Sequence, residues 1–253
     1  MGQEKVRLHI DSLRKEFQGK DGSTLVVDNV SLDVYDNEFL VLLGPGHCGK
    51  TVFLNIMAGL EKPTSGEIFL DGEPLQGNDP RIGMVFQKWS LLPWKTVMEN
   101  TEIGTKLRGV DKTTRRAKAQ EYLNLVGLQG FENAYPSQLS GGMKQRVGIA
   151  RAYTNDPEIL IMDEPFGALD AQTRYAMEEE VIKIWQKEKR TVIFVTNNIE
   201  EAVYLGDRIV LFSERPARIK EIYKNDLPRP RDMISPEFMR LRGTISDNSD
   251  LAL

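Results

Sequence analysis

The stretch Phe39-Leu40-Val41-Leu42-Leu43-Gly44-Pro45-Gly46-His47-Cys48-Gly49-Lys50-Thr51 decides the fold. Five consecutive apolar residues read as a strand buried on both faces, as in a parallel sheet covered by helices. They run straight into the pattern G-x-x-x-x-G-K-[ST], and residues 50–60 continue with a helical pattern. Glycines let backbone N–H groups turn inward around phosphate oxygens, and the helix start adds the positive end of its dipole. The pattern assigns Gly44, Pro45, Gly46, His47, Cys48, Gly49, Lys50 and Thr51 to a phosphate site. Lys50 is expected to reach the β- and γ-phosphates as a mobile charge, and Thr51 to offer its hydroxyl to Mg2+. As a pair, His47 and Cys48 also fit metal binding or nucleophilic catalysis. Inside such a loop the backbone is the working part, so both read as filler with side chains pointing outward.

Upstream, residues 6–13 and 24–34 read as strands punctuated by polar turns, and further buried strands are expected at 82–86, 159–162, 192–195 and 209–212. Strands alternating with helices indicate an α/β protein with an antiparallel N-terminal β portion. Residues 88–157 lack convincing strands and carry helical patterns at 97–108, 112–126 and 140–154, so they read as a helical subdomain inserted within a single domain spanning 1–253. Within it, residues 106–118 hold six cationic residues against Asp111. That run is either a solvated helix face or a patch for a partner or lipid headgroups. Residues 247–253 are expected to fray.

A second chemical signal is Ile159-Leu160-Ile161-Met162-Asp163-Glu164, in which a buried strand delivers two carboxylates at its C-terminal end. Asp163 is expected in the Mg2+ shell. Glu164 is expected to orient the attacking water, because phosphoryl transfer asks mainly for positioning and charge stabilisation.

Leu139-Ser140-Gly141-Gly142-Met143-Lys144-Gln145 lies just upstream of that pair. With the other two motifs it makes the chain resemble the ATP-binding subunits of ABC transporters along essentially its whole length. The fold so implied is a P-loop NTPase core of the ABC ATPase type. Physically, Ser140, Gly141 and Gly142 open a helix and offer hydroxyl and N–H donors to an anion. The resemblance implies that this motif, Gln145 included, faces the γ-phosphate held by the other copy of a head-to-tail dimer. It further implies that Gln87 contacts Mg2+ and water, that Phe17 stacks on adenine, and that Asp170 in Ala168-Leu169-Asp170 belongs to a loop crossing the dimer interface. The family pattern places a histidine where Asn197 stands. A carboxamide donates a hydrogen bond but carries no imidazolium charge, so the departure bears on hydrolysis rate more than on ATP binding.

Leu91-Leu92-Pro93-Trp94 and Leu227-Pro228-Arg229-Pro230-Arg231-Asp232 resemble the nitrate/sulfonate/taurine importer group, with Trp94 either at the rim that receives a permease helix or in the core. The implied protein is an ATPase working with ATP and Mg2+ on the cytoplasmic face of a bacterial membrane. Its implied partners are a second copy of itself, transmembrane permease subunits and, indirectly, a solute-binding protein. The alternative is an ATP-binding subunit with weak hydrolysis that acts mainly as a dimerisation switch.

Composition agrees with this reading. The 253 residues are 40% hydrophobic and 28% charged, enough to offset chain entropy. Lys and Arg total 33 against 37 Asp and Glu, whereas nucleic-acid binders normally carry a basic excess. A single cysteine and two histidines leave little for a disulfide or a zinc site. One phosphate loop, without a long coiled-coil insertion, speaks against the tandem ABC proteins of translation and DNA repair.

Overall fold

In the computed structural model, which describes residues 5–19 and 22–251, the chain begins with β1 (Val6–Gly19), β2 (Gly22–Tyr35), β3 (Phe39–Leu43) and α1 (Lys50–Met57). It continues through β4 (Ser65–Leu70), β5 (Glu73–Pro74), β6 (Ile82–Val85), α2 (Val97–Thr101), α3 (Ile103–Leu107), α4 (Lys112–Leu125) and α5 (Gly141–Thr154). The remainder is β7 (Ile159–Asp163), α6 (Ala171–Glu188), β8 (Thr191–Thr196), α7 (Ile199–Leu205), β9 (Arg208–Phe212), β10 (Ile219–Lys224) and α8 (Pro236–Asn248). Two units divide it: residues 1–79 with 190–253, and residues 80–189.

In the first unit every residue of β3 is buried, as its apolar run requires. The strand pairs in parallel with β8 on one side and β9 on the other, while β10 joins β9 antiparallel. Phe53 of α1 meets Phe212 at 5.5 Å between ring centroids, and Phe39 meets Phe194 at 5.9 Å. An antiparallel sheet in the order β2-β1-β4-β5 makes up the N-terminal β portion. The strand expected at 6–13 continues to Gly19, because a bulge between Ile10 and Leu13, with Ser12 at φ +49°, re-aims the chain without ending the pairing. At the C-terminus the chain contacts β10 as far as Asp250. Asn248 donates to Glu221 and Tyr223, and Asp250 pairs with Lys220 at 3.0 Å. Residues 252–253 lie outside the described part.

In the second unit β6 and β7 pair in parallel, β7 is fully buried, and helices occupy the chain between them. The helix expected at 97–108 divides at Glu102. There Thr101 and Thr105 turn their hydroxyls onto the carbonyls of Val97 and Glu102, and the Glu102 carboxylate takes Arg115 at 3.0 Å. α2 opens with a capping box between Thr96 and Glu99, and Asp111 caps α4 through the amides of Thr113 and Thr114. The basic run at 106–118 is partly neutralised from outside itself, by Glu102 on Arg115 and by Asp156 on Lys118.

One buried carboxyl sets a pH dependence. Glu38, 8% exposed, accepts from the Tyr35 N–H and pairs with Arg208 at 3.0 Å. Burial nevertheless pushes its carboxyl up from 4.5 to about 7, against those two partners. A raised folded value favours the protonated form, so this contribution to stability is full below about 4.5 and is lost as pH rises through 7. Glu38→Gln, neutral throughout, should gain on wild type by roughly 2–3 kcal/mol between pH 5 and pH 8 in urea unfolding. A difference between the two proteins that stays constant over that range contradicts the assignment.

Candidate functional site

Each unit presents part of the expected chemistry. In the first, β3 delivers the loop 44–49, and the Gly44 N–H donates to Thr196 O at the end of β8 at 3.4 Å. His47 sits at φ +63° and Gly49 at φ +122°. A Cβ on Gly49 would lie 2.7 Å from Val26 O, so the position needs glycine for both its dihedral angle and its room. Lys50 is 4% exposed, and its Nζ donates to Gly44 O at 2.6 Å and Pro45 O at 2.7 Å. With those carbonyls drawn onto the ammonium, the loop curls around it. Gly49 caps α1 without a side-chain oxygen. N–H groups at a helix start of this kind are suited to an anion.

His47 is exposed, as expected of filler, but Cys48 corrects the expectation. It is 2% exposed, with its Sγ 3.9 Å from Lys50 Nζ. The positive φ of His47 turns the next side chain under the loop, where a small, weakly polar group fits against the ammonium. Thr51 is exposed on the first turn of α1. Phe17 is 40% exposed on β1 with Lys15 Nζ 4.7 Å from its ring centroid, so it is not a core residue. Asn197 is exposed directly after β8, and Asn198 caps α7 by accepting from the amides of Glu200 and Glu201.

In the second unit, Asp163 ends β7 and is 5% exposed. Glu164 follows at φ +39°, a strained angle for a residue with a Cβ, and such strain gathers at functional positions. Gln87, exposed beyond β6, donates from Nε2 to Glu164 Oε2 at 3.2 Å. Two residues 77 positions apart in sequence are thereby joined.

Ser140 is exposed and caps α5, its Oγ accepting from the Met143 N–H at 3.2 Å. The cap takes the Met143 N–H, which is not one of the donors expected at Ser140, Gly141 and Gly142. Gly142 allows α5 to approach α6, since a Cβ there would lie 2.8 Å from the Thr173 methyl. A Cβ on Gly141 would lie 3.5 Å from the Trp89 ring, an ordinary contact, so this position does not require glycine for room. Gln145, expected as a nucleotide contact with them, is instead 1% exposed within α5. One helical turn beyond Gly141, its side chain turns into the protein rather than out from the helix start. Asp170 caps α6 through the Thr173 N–H and hydroxyl, and these bonds hold its carboxyl below the usual range.

Sequence reasoning missed the residues that tie the segment after Gln87 to α5. Lys144 Nζ lies 4.8 Å from the Trp89 ring centroid, and Arg151 donates to Ser90 O at 2.8 Å and Trp89 O at 3.2 Å. Burial pulls the Arg151 guanidinium down from its ordinary value. A tryptophan two residues past Gln87 was the available signal. Trp94 is 70% exposed, which removes the core reading for it.

A parallel α/β arrangement with a glycine-bounded loop under a helix start, and an acidic pair closing a buried strand, defines a nucleotide-hydrolysing protein of the P-loop class. The family model described as ABC transporter matches residues 27–167. An uncharacterized ABC transporter ATP-binding protein of Methanocaldococcus jannaschii is 53% identical over 95% of this chain and 90% of its own. An aliphatic sulfonates import ATP-binding protein of Bacillus cereus is 42% identical over 94% and 93%. A bacterial ABC transporter cassette solved as a dimer matches with a TM-score of 0.77 and 33% identity, over 86% of this chain and 98% of that one. A post-hydrolysis cassette dimer bound to ADP and Pi matches with a TM-score of 0.76 and 32% identity over the same shares. The chain belongs to the ABC transporter family, as an ATP-binding subunit and an ATPase. Among the described residues no helix is long and apolar enough to cross a membrane.

Gly49→Ala tests the loop geometry. Forcing a Cβ to φ +122° against Val26 should cost about 1–3 kcal/mol and weaken nucleotide binding, read by urea unfolding and by fluorescence titration with a nucleotide analogue. Wild-type values in both measurements contradict the described loop.

Proposed function

We propose that this ATPase powers a membrane importer for a small anionic solute of the sulfonate type, working as a head-to-tail dimer of two copies on the cytoplasmic face of the membrane. The Bacillus cereus relative supports the solute class, and the dimeric cassettes support the assembly. Permease subunits would supply the path across the membrane, with a solute-binding protein delivering the cargo to them. Trp94, exposed and aromatic, suits an anchor for a permease segment.

The observation that carries the catalytic reading is the Glu164 carboxylate held at a strained strand end with Gln87 on one oxygen. A carboxylate so fixed can orient a water and accept its proton as the γ-phosphoryl group is attacked. Lys50 trades the carbonyls of Gly44 and Pro45 for phosphate oxygens, and the loop amides hold the rest of the phosphate chain. Phe17 offers its exposed face to adenine. Ser140 directs its hydroxyl toward the phosphate held by the second copy, alongside Gly141 and Gly142, while Asp170 lies at the contact between copies. Each unit also offers oxygen donors of the kind Mg2+ takes: the Thr51 hydroxyl in the first, the Asp163 carboxylate and the Gln87 carboxamide oxygen in the second. Mg2+ held by such donors would supply charge neutralisation to the phosphates.

Asn197 provides one donor without a formal charge, so it stabilises transition-state charge less than an imidazolium does. Slow turnover, with ATP closure of the dimer as the main output, is the second reading this residue favours.

Two expectations follow. Glu164→Gln should still bind ATP and accumulate as an ATP-bound dimer in gel filtration, whereas Lys50→Ala should lose ATP binding; hydrolysis by Glu164→Gln at the wild-type rate removes Glu164 from its role. Asn197→His should raise turnover and Asn197→Ala should lower it, by less than the roughly 100- to 1,000-fold that loss of a preorganised donor can cost. Steady-state ATPase assays check this, and Asn197→Ala at the wild-type rate shows that the side chain makes no useful contact.

A further inference from the structure

The segment Leu227-Pro228-Arg229-Pro230-Arg231-Asp232 has no part in the nucleotide site, yet it carries one of the most buried charges in the first unit. The Arg231 side chain is 1% exposed. Among the described residues no carboxylate meets it in a two-bonded pair: Asp207 lies 4.0 Å from Nη2, and the guanidinium spends its N–H groups on backbone carbonyls. Nη1 donates to Val203 O and Tyr204 O, both at 2.9 Å, Nη2 to Asn225 O at 3.3 Å and Nε to Leu227 O at 3.2 Å. Burying such a charge is expensive, and its return here is geometric.

Val203 and Tyr204 belong to the last turn of α7. The other terminal carbonyls of that helix are taken as well, Leu205 O by Arg229 and Ala202 O by the Gly206 N–H at 3.0 Å. Asn225 Nδ2 adds a second donor on Val203 O at 2.8 Å. All four C-terminal carbonyls of α7 are therefore capped, three of them by residues 225–231, and two cations sit at the negative end of the helix dipole. Arg229 also pairs with Asp207, whose other oxygen accepts the Phe39 N–H at 2.9 Å at the start of β3. At the opposite end of α7, Arg242 of α8 pairs with Glu200 at 3.0 Å. The C-terminal segment thus grips both ends of α7. A seven-residue helix is marginal alone, so these caps decide where it sits. Asn198 caps its first turn, and Asn197 is the residue immediately before.

We propose that Arg231 is a positioning residue for ATP hydrolysis, acting through α7 to fix the exposed Asn197 at the end of β8. The proposal rests on the reading of Asn197 given above. Arg231 touches no reacting atom. Its effect is on where a donor stands, and displacement of a catalytic group by about 1 Å can cost a hundredfold in rate.

The test uses the full-length chain with Arg231→Met, Arg231→Lys, Asn197→Ala and the double variant Asn197→Ala with Arg231→Met. Hydrogen exchange of amides 198–205 reads the clamp, and steady-state ATPase reads kcat and KM. Arg231→Met should speed exchange across α7 and lower kcat about tenfold, with KM for ATP changed by less than about twofold. Arg231→Lys, which keeps a cation and some of the carbonyl bonds, should recover part of both. In the Asn197→Ala background the same change should remove no more than about twofold, because the group being positioned is gone. Unchanged exchange in Arg231→Met overturns the clamp. A full kcat loss in the double variant overturns its route through Asn197. Asn197→Ala at wild-type kcat also overturns the coupling to turnover, but as a failure of the Asn197 reading, since exchange still reports the clamp. Should Arg231→Met fail to fold, Arg242→Gln at the more exposed end of α7 carries the same exchange, kcat and double-variant comparisons with the same expected signs.

Discussion

The ammonium of Lys50, buried beneath its own loop and bonded to Gly44 O and Pro45 O, is the constraint from which the rest of the first unit follows. A buried cation must be met by acceptors, and here the chain itself supplies them. Two carbonyls drawn inward commit the loop to a tight curl that needs Gly49 at a positive φ and brings Cys48 beneath it. That curl is affordable only because both flanks are rigid. β3 is wholly buried between β8 and β9, and α1 is pinned by Phe53 against Phe212.

The second unit reaches precision by different means. Its acidic pair closes a buried strand, and the chain turns through a strained angle at Glu164 so that Gln87 can meet the carboxylate. The loop beyond Gln87 is then tied to α5 by Lys144 against Trp89 and by Arg151 on two carbonyls. Ser140 opens the same helix, so the serine and the loop after Gln87 share one support. Packing delivers chemistry here: Gly142 lets α5 approach α6, whose own first turn is held by Asp170.

Much of this was legible in the sequence, for identifiable reasons. The run 39–43 is apolar throughout because it is buried on both faces, and the loop pattern is fixed by dihedral angles only glycine holds easily. What escaped reading depended on tertiary partners. Cys48 looked like an outward side chain until the turn at His47 placed it under the loop, and Gln145 belonged to an exposed motif yet faces inward. The helix at 97–108 divides at Glu102, whose buried carboxylate is taken by Arg115 of another helix, a tertiary contact that periodicity does not register. α6 carries a helical spacing in Met177, Val181, Ile184 and Trp185 that was there to be read and was not. The run 227–232 served only as a mark of resemblance, since the carbonyls that Arg231 reaches lie 27 and 28 positions earlier in sequence.

The central claim, that Lys50 of one copy and Ser140 of the other complete a single ATP site, is tested most directly by mixing two inactive variants. Lys50→Ala and Ser140→Arg should each fail to hydrolyse ATP alone. In a mixed dimer one composite site retains both an intact loop and an intact Ser140, so an equimolar mixture should recover about a quarter of wild-type ATPase by random pairing in a two-fold dimer. Absence of any recovery, with mixed dimers shown to form, contradicts a site shared between copies.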